Sequence, residues 1–153
     1  MCISFSSISK KSRHDTLKYR KEAHKVYSLH YHLVFVVKYR QNVFVEDHYI
    51  INFMKTTFED TSEEYGVEIE EMECGMDHVH VLISTKPTLS MPRYINALKG
   101  RSSRYMRNIL HNFLKYKLWG DHFWTPSYFI ATTGNVSIDV LKHYIETQKR
   151  RNN

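Results

Sequence analysis

"VEIEEMECGMDHVHVLIS" (Val67–Ser84) is the stretch that decides the fold. Its first half alternates, with Val67, Ile69 and Met72 apolar and a slip near Glu71. Its second half alternates without a slip. Val79, Val81 and Ile83 fall on one face of a strand, and His78 and His80 fall on the other. The link "CGMD" is turn-like, so the two runs predict a β-hairpin. One face of its second strand packs a core while the other carries two neighbouring imidazoles. That geometry suits chelation of one metal ion. The pattern is weak by itself, because the chain has ten histidines and a second His-x-His pair, His30 and His32.

The neighbouring segments extend this reading. Upstream, "YSLHYHLVFVVKYR" (Tyr27–Arg40) has the aromatic and β-branched content of a central strand. From Glu46 to about Tyr65, apolar residues at Tyr49, Ile50, Phe53, Met54, Phe58 and Tyr65 form a helical stripe, which Gly66 ends. Downstream, Ser90 is expected to cap a second helix with Pro92 in its first turn. Its stripe runs Tyr94, Ile95, Leu98, Tyr105, Met106, Ile109, Leu110, Phe113. "YFIATT" (Tyr128–Thr133) reads as a fourth strand, broken by Gly134 and Asn135, and Ser137 caps a last helix running to about Arg150. The order β-α-β-β-α-β, then α, predicts an α+β fold. It is the ferredoxin-like, split-βαβ antiparallel sheet with helices, its first and third strands central neighbours, plus a C-terminal helix.

Composition narrows the function. A chain of 153 residues is expected to form one domain, and a formal net charge of +6 favours a polyanionic partner. Cys2 and Cys74 cannot build a disulfide framework, which fits a reducing cytoplasm. The longest apolar run, "LVFVV", is too short to span a bilayer, and "MCISFSSISKK" lacks the basic-then-apolar order of a secretory signal. A soluble cytoplasmic protein with no membrane partner is expected. Residues 1–25 are Ser-rich and then basic, with Lys10, Lys11, Arg13, Lys18, Arg20, Lys21 and Lys25. They predict an arm, mobile or ordered by a partner, ahead of a domain at 26–153.

In the last helix, Tyr144 and Gln148 are four residues apart and share a face, beside an apolar docking stripe of Ile138, Leu141 and Ile145. A half-buried tyrosine and a surface glutamine fit that spacing as well as a site does. Taken in order, "HLVFVVKYR", "MDHVHVLIS", "LKGRSSRYMR", "LWGDHFWTPSYFIATTGNVS" and "YIETQ" resemble the IS200/IS605 family of single-strand DNA transposases, the single-tyrosine HUH enzymes. The resemblance covers about residues 26 to 149. It implies that His78, His80 and Gln148 hold a divalent metal ion, Mg²⁺ or Mn²⁺, and that Tyr144 is the nucleophile. It also implies cleavage and rejoining of single-stranded DNA through a 5′-phosphotyrosine, hairpins at the element ends as partners, and a homodimer with composite active sites. A tyrosine link conserves the energy of the broken bond, which hydrolysis by water would lose. Sequence leaves open whether Tyr144 serves its own subunit or the other, with "TTGNVS" as a hinge, and which group is the base. His30 and His32 are not the family's metal pair. For His32, core packing is the simpler reading, and a contact behind the ligands stays open.

"LKGRSSR" places Lys99, Arg101 and Arg104 on a helix, with Ser102 and Ser103 as phosphate donors. Lys38, Tyr39 and Arg40 end the first strand beside the expected site, where an aromatic ring could stack an unpaired base. Lys142 is a further candidate DNA contact. The acidic stretch Glu59–Glu73 is expected to face away from DNA. Competing readings are a non-catalytic or domesticated DNA-hairpin-binding protein and another HUH nuclease, a replication initiator or relaxase.

Overall fold

The computed structural model describes residues 19–44, 48–114, 122–133 and 143–147. In chain order the elements are β1 (Arg20–Glu22), β2 (Lys25–Tyr27) and β3 (Leu29–Val36). Then come α1 (His48–Glu64), β4 (Glu68–Cys74), β5 (His78–Thr85), α2 (Met91–Ile109), a short α3 (His111–Leu114) and β6 (Phe129–Thr132). Residues 143–147 are helical. β3 to β6 form one antiparallel sheet in the order β4-β5-β3-β6. The first and third strands of the split-βαβ unit, β3 and β5, are its central pair, as the element order predicts.

Alternation decides which side chains meet which layer. Leu33, Phe35, Val79, Val81 and Ile83 pack under α1 and α2, against Met54, Phe58, Tyr94, Ile95, Leu98 and Met106. Val34 and Val36 point to the opposite face, where Ile145 of the last helix covers them beside Phe129 and Tyr144. The sheet is therefore covered on both faces, and the histidine face of β5 is the one the last helix reaches. The slip in the first hairpin strand is a register shift between Ile69 and Glu71, which leaves Glu70 as the extra residue.

Three local expectations change. The region read as an arm is partly ordered: β1 and β2 pair Arg20 with Tyr27 and Glu22 with Lys25 as a separate hairpin. It is tied to the domain by an Arg20–Glu68 ion pair and by Lys86 to Glu22 at 3.1 Å. Ser90 stands at the N-cap of α2, but its side chain makes no capping hydrogen bond. Lys38–Arg40 do not end the strand. They form a 3₁₀ turn in which Tyr39 (φ 58) and Arg40 (φ 49) are left-handed. Within the acidic stretch Glu59–Glu73, Glu64 pairs with Arg101 and Glu68 with Arg20. Residues 1–18, Glu46, Gly134, Asn135, Ser137, Ile138, Leu141, Lys142 and Gln148 lie outside the described residues, as does the side chain of Phe113.

Candidate functional site

β5 delivers His78 and His80 to one face, and the neighbouring strand β3 sets what surrounds them. His80 is 2% exposed. Its Nε2 shares a hydrogen bond with His32 Nδ1 at 2.9 Å, and the two rings stack with centroids 5.1 Å apart. His32 is therefore neither simple core filling nor a surface histidine: it stands directly behind His80. Burial, and then the charges of His32 and His78, push the His80 imidazole down to about 4. Burial lowers His32 as well. Both rings are neutral at physiological pH, and a neutral imidazole carries the lone pair that a metal needs. His30, the other member of the upstream pair, is accounted for separately by Glu70 Oε2 at 3.0 Å and Ser28 Oγ at 3.1 Å.

His78 is oriented from the other side. Its Nδ1 donates to Asp77 Oδ1 at 2.8 Å, and Asp77 Oδ2 accepts from Arg40 Nε at 2.6 Å. Burial alone would raise the Asp77 carboxyl, but the hydrogen bonds from His78 and Arg40 outweigh it and hold it below the ordinary value. Sequence reading passed over Asp77, although an acid directly before His-x-His was the available signal.

The donor set fits a divalent cation. His80 Nδ1 is buried without a hydrogen-bond partner among the described residues, and a buried ring nitrogen left so is unusual. No cluster of three or more His, Cys, Asp or Glu side chains gathers among those residues. The third expected ligand, Gln148, lies outside them.

Tyr144 meets the same face. Its ring packs on the Val34, Val36 and Ile145 cluster, 5.3 Å from the Phe129 ring, and its hydroxyl donates to Ser127 Oγ at 3.4 Å. Val34 and Val36 are the register partners of His80 and His78. The tyrosine therefore lies over the strand next to the two histidines, on their side of the sheet. Ser127 is a contact that sequence gave no reason to single out.

The residues expected on DNA divide. Lys99 Nζ donates to the carbonyls of Thr125 (2.8 Å), Pro126 (2.9 Å) and Ser127 (3.4 Å). Ser102 Oγ accepts from Trp124 Nε1 at 2.9 Å, and Ser103 Oγ accepts from Phe123 N at 3.4 Å. Arg101 forks onto Glu64. The "LKGRSSR" motif thus fastens the segment before β6 to α2, with Arg104 left on the exposed side. Lys38 lies over the half-exposed Tyr39 ring, 5.2 Å from its centroid, while Arg40 is turned onto Asp77.

Comparison with known proteins agrees with this arrangement. Residues 25–148 match the family described as "Transposase IS200 like". The chain is 40% identical over 123 residues to the ISDra2 transposase TnpA of Deinococcus radiodurans, covering 80% of this chain and 86% of that protein. It is 31% identical over 130 residues to the transposase for insertion sequence element IS200 of Salmonella typhimurium, covering 83% and 84%. A crystal structure of a candidate transposase from Deinococcus radiodurans superposes with a TM-score of 0.73 at 32% identity, covering 84% of this chain and 97% of that one. A REP-associated tyrosine transposase bound to a REP hairpin shares the fold at a TM-score of 0.51 and 10% identity, covering 84% and 68%. The family match and the two relatives together establish that the chain belongs to the IS200/IS605 family of transposases.

Proposed function

We propose that this transposase cleaves and rejoins single-stranded DNA at insertion-sequence ends through a 5′-phosphotyrosine on Tyr144. The observation that carries the reading is the packing of Tyr144 over β3, on the face where β5 presents His78 and His80. His78, His80 and Gln148 would hold the metal ion, Mg²⁺ or Mn²⁺. Once bound, such an ion polarises the scissile phosphate and offsets the charge that builds up in the transition state.

The chain's own residues do the rest. Tyr144 Oη attacks phosphorus in line. The new bond joins tyrosine oxygen to phosphorus, the bond to the 3′ oxygen breaks, and that oxygen leaves as a 3′-OH with a proton from solvent. The phenolic proton must leave as attack proceeds, since an unperturbed phenol has a pKa near 10. Rejoining reverses the exchange: a 3′-OH attacks the phosphotyrosine and releases Tyr144. Before attack, Phe129 packs on the Tyr144 ring and Ser127 accepts from its hydroxyl.

DNA hairpins near the element ends are the proposed partners, a reading supported by the hairpin on the REP-associated relative. Two copies of the chain would make the active unit, with composite sites. Among the described residues no helix is long and apolar enough to cross a membrane, and the cytoplasm, where the DNA lies, is the proposed location.

The test is a covalent-adduct assay. Protein is mixed with end-labelled single strands carrying the element's own ends and Mg²⁺ or Mn²⁺, then run on denaturing gels beside Tyr144→Phe and His80→Ala. An adduct in wild type that both variants lose is expected. Binding without an adduct in wild type would overturn the catalytic reading and leave a hairpin-binding protein.

A further inference from the structure

Arg40, Asp77 and Gly75 come from two turns that flank the histidine face: Asp77 and Gly75 meet the His78 ring, and Arg40 holds Asp77. The first turn follows β3. Arg40 N donates to Val37 O at 2.9 Å, Lys38 N to Phe123 O at 2.9 Å, and Val37 N to Asp77 O at 2.8 Å. These bonds fix a backbone in which Tyr39 and Arg40 are both left-handed, a conformation that residues with a Cβ seldom adopt. The consequence is directional: the chain doubles back and points the guanidinium at Asp77. The second turn joins β4 to β5. Gly75 N donates to His78 O at 2.8 Å. A Cβ on Gly75 would stand 2.2 Å from His78 Cε1, 2.6 Å from Nε2 and 2.7 Å from Nδ1. The imidazole therefore lies against bare backbone, and glycine is required there for space.

We infer that Arg40 and Asp77 are positioning residues for the metal ligand His78, forming an Arg40–Asp77–His78 relay with Gly75 as the floor under the ring. This rests on the reading of His78 as a ligand. The chemistry is that of a carboxylate behind a metal-binding histidine. Asp77 Oδ1 accepts the Nδ1 proton, which fixes the tautomer and leaves the ring's lone pair on Nε2. Asp77 itself is held by Arg40, so the carboxylate cannot turn away. The side chain of Asp77 is 8% exposed and that of Arg40 is 24% exposed, so the pair is shielded enough to stay fixed. A rival role for Arg40 is a direct phosphate contact, which its basic neighbour Lys38 suggests. It gives no reason for the strained turn, for the 2.6 Å bond to a buried carboxylate, or for the glycine under the ring.

The experiment is Mn²⁺ titration of the full chain without DNA, followed by electron spin resonance of free Mn²⁺, with thermal unfolding of each protein recorded beside it. Arg40→Gln, Asp77→Asn and Gly75→Ala are compared with wild type, with His78→Ala as the reference and Arg40→Lys as the conservative variant. Loss of an outer partner of a ligand is expected to weaken Mn²⁺ binding by about 10-fold or more. Arg40→Lys should recover part of that loss. A purely structural role would lower the unfolding temperature and leave Mn²⁺ affinity unchanged. If His78→Ala weakens binding while Arg40→Gln and Asp77→Asn bind as wild type does, the relay is overturned and the ligand reading stands. If His78→Ala binds as wild type does, the ligand reading fails and the relay falls with it. Arg40→Gln is the milder change should Asp77→Asn not fold. Weaker DNA binding by Arg40→Gln in EDTA, at unchanged Mn²⁺ affinity, would make Arg40 a DNA ligand and also overturn the relay.

Discussion

Replacing Lys99 by methionine separates a clamp from a DNA contact. In the structure the ammonium has a full set of acceptors, the carbonyls of Thr125, Pro126 and Ser127, and it lies 5.8 Å from the Tyr128 ring centroid. Hydrogen bonds from a charged donor contribute about 1.5–3 kcal/mol each. Two of the three are well formed. The third is long, the bond to Pro126 is open to water, and burial of the ammonium, which lowers its pKa, offsets part of the gain. The net expectation for Lys99→Met is therefore a loss of about 2 kcal/mol, near the value of one good charged bond. For a chain of this size that is a fall of roughly 4–8 °C in melting temperature, read by circular dichroism. The salt dependence of hairpin binding should keep its slope, because no phosphate contact is lost. A DNA-contacting lysine behaves oppositely: the melting temperature holds and the log–log salt slope drops by roughly one. That second result would refute the clamp. Lys99→Arg should restore only part of the stability, since a planar guanidinium cannot aim a tripod of donors at three successive carbonyls.

Three further perturbations follow from buried groups. Ser102→Ala strands the buried Trp124 Nε1–H, and a loss of about 1–3 kcal/mol is expected in urea unfolding, with Trp124→Phe in the same background recovering part of it. His32→Leu removes the partner of His80 Nε2 and leaves both nitrogens of a buried ring without a hydrogen bond among the described residues, so a destabilisation of roughly 1–3 kcal/mol is expected by the same measurement on the metal-free protein. At alkaline pH, burial pushes the Cys74 thiol up from 9.0 to about 12 and the Tyr94 phenol up from 10.0 to about 12. The unfolded chain loses these protons first, so stability is unaffected below pH 9 and falls as pH rises from about 9 towards 12. Cys74→Ala and Tyr94→Phe should each flatten that fall, and an unchanged slope in both would exclude these groups as its cause.

The face of each side chain was legible because alternation in a strand is a property of sequence alone. Val79, Val81 and Ile83 could go inward only if His78 and His80 went outward, and the slip at Glu71 was visible as a broken alternation. Partners are a different matter. "LKGRSSR" reads as a DNA-binding helix because sequence displays charge but not what neutralises it. The acceptors of Lys99 are 26 to 28 residues away, and the acid facing Arg101 is 37 residues upstream. The same blindness covers Arg40. Nothing in "KYR" signals two left-handed residues, since neither is glycine or asparagine, yet that turn is what directs the guanidinium onto Asp77 and away from solvent. The β1–β2 hairpin escaped for a third reason: its strands are three residues long, too short for alternation to emerge from a basic, Ser-rich background. The first two involve a polar or charged side chain whose role is set by a tertiary neighbour, while most apolar stripe residues were placed from the sequence, apart from Tyr49, Tyr105 and Ile109 at the stripe edges, which stand exposed. It follows that the basic residues of this chain are better assigned by asking which still lack an internal acceptor. Among the described residues, Arg104 is exposed on α2 beyond the clamped side chains, which makes it a stronger candidate for the phosphate backbone than Lys99, Arg101 or Arg40, whose acceptors lie within the fold.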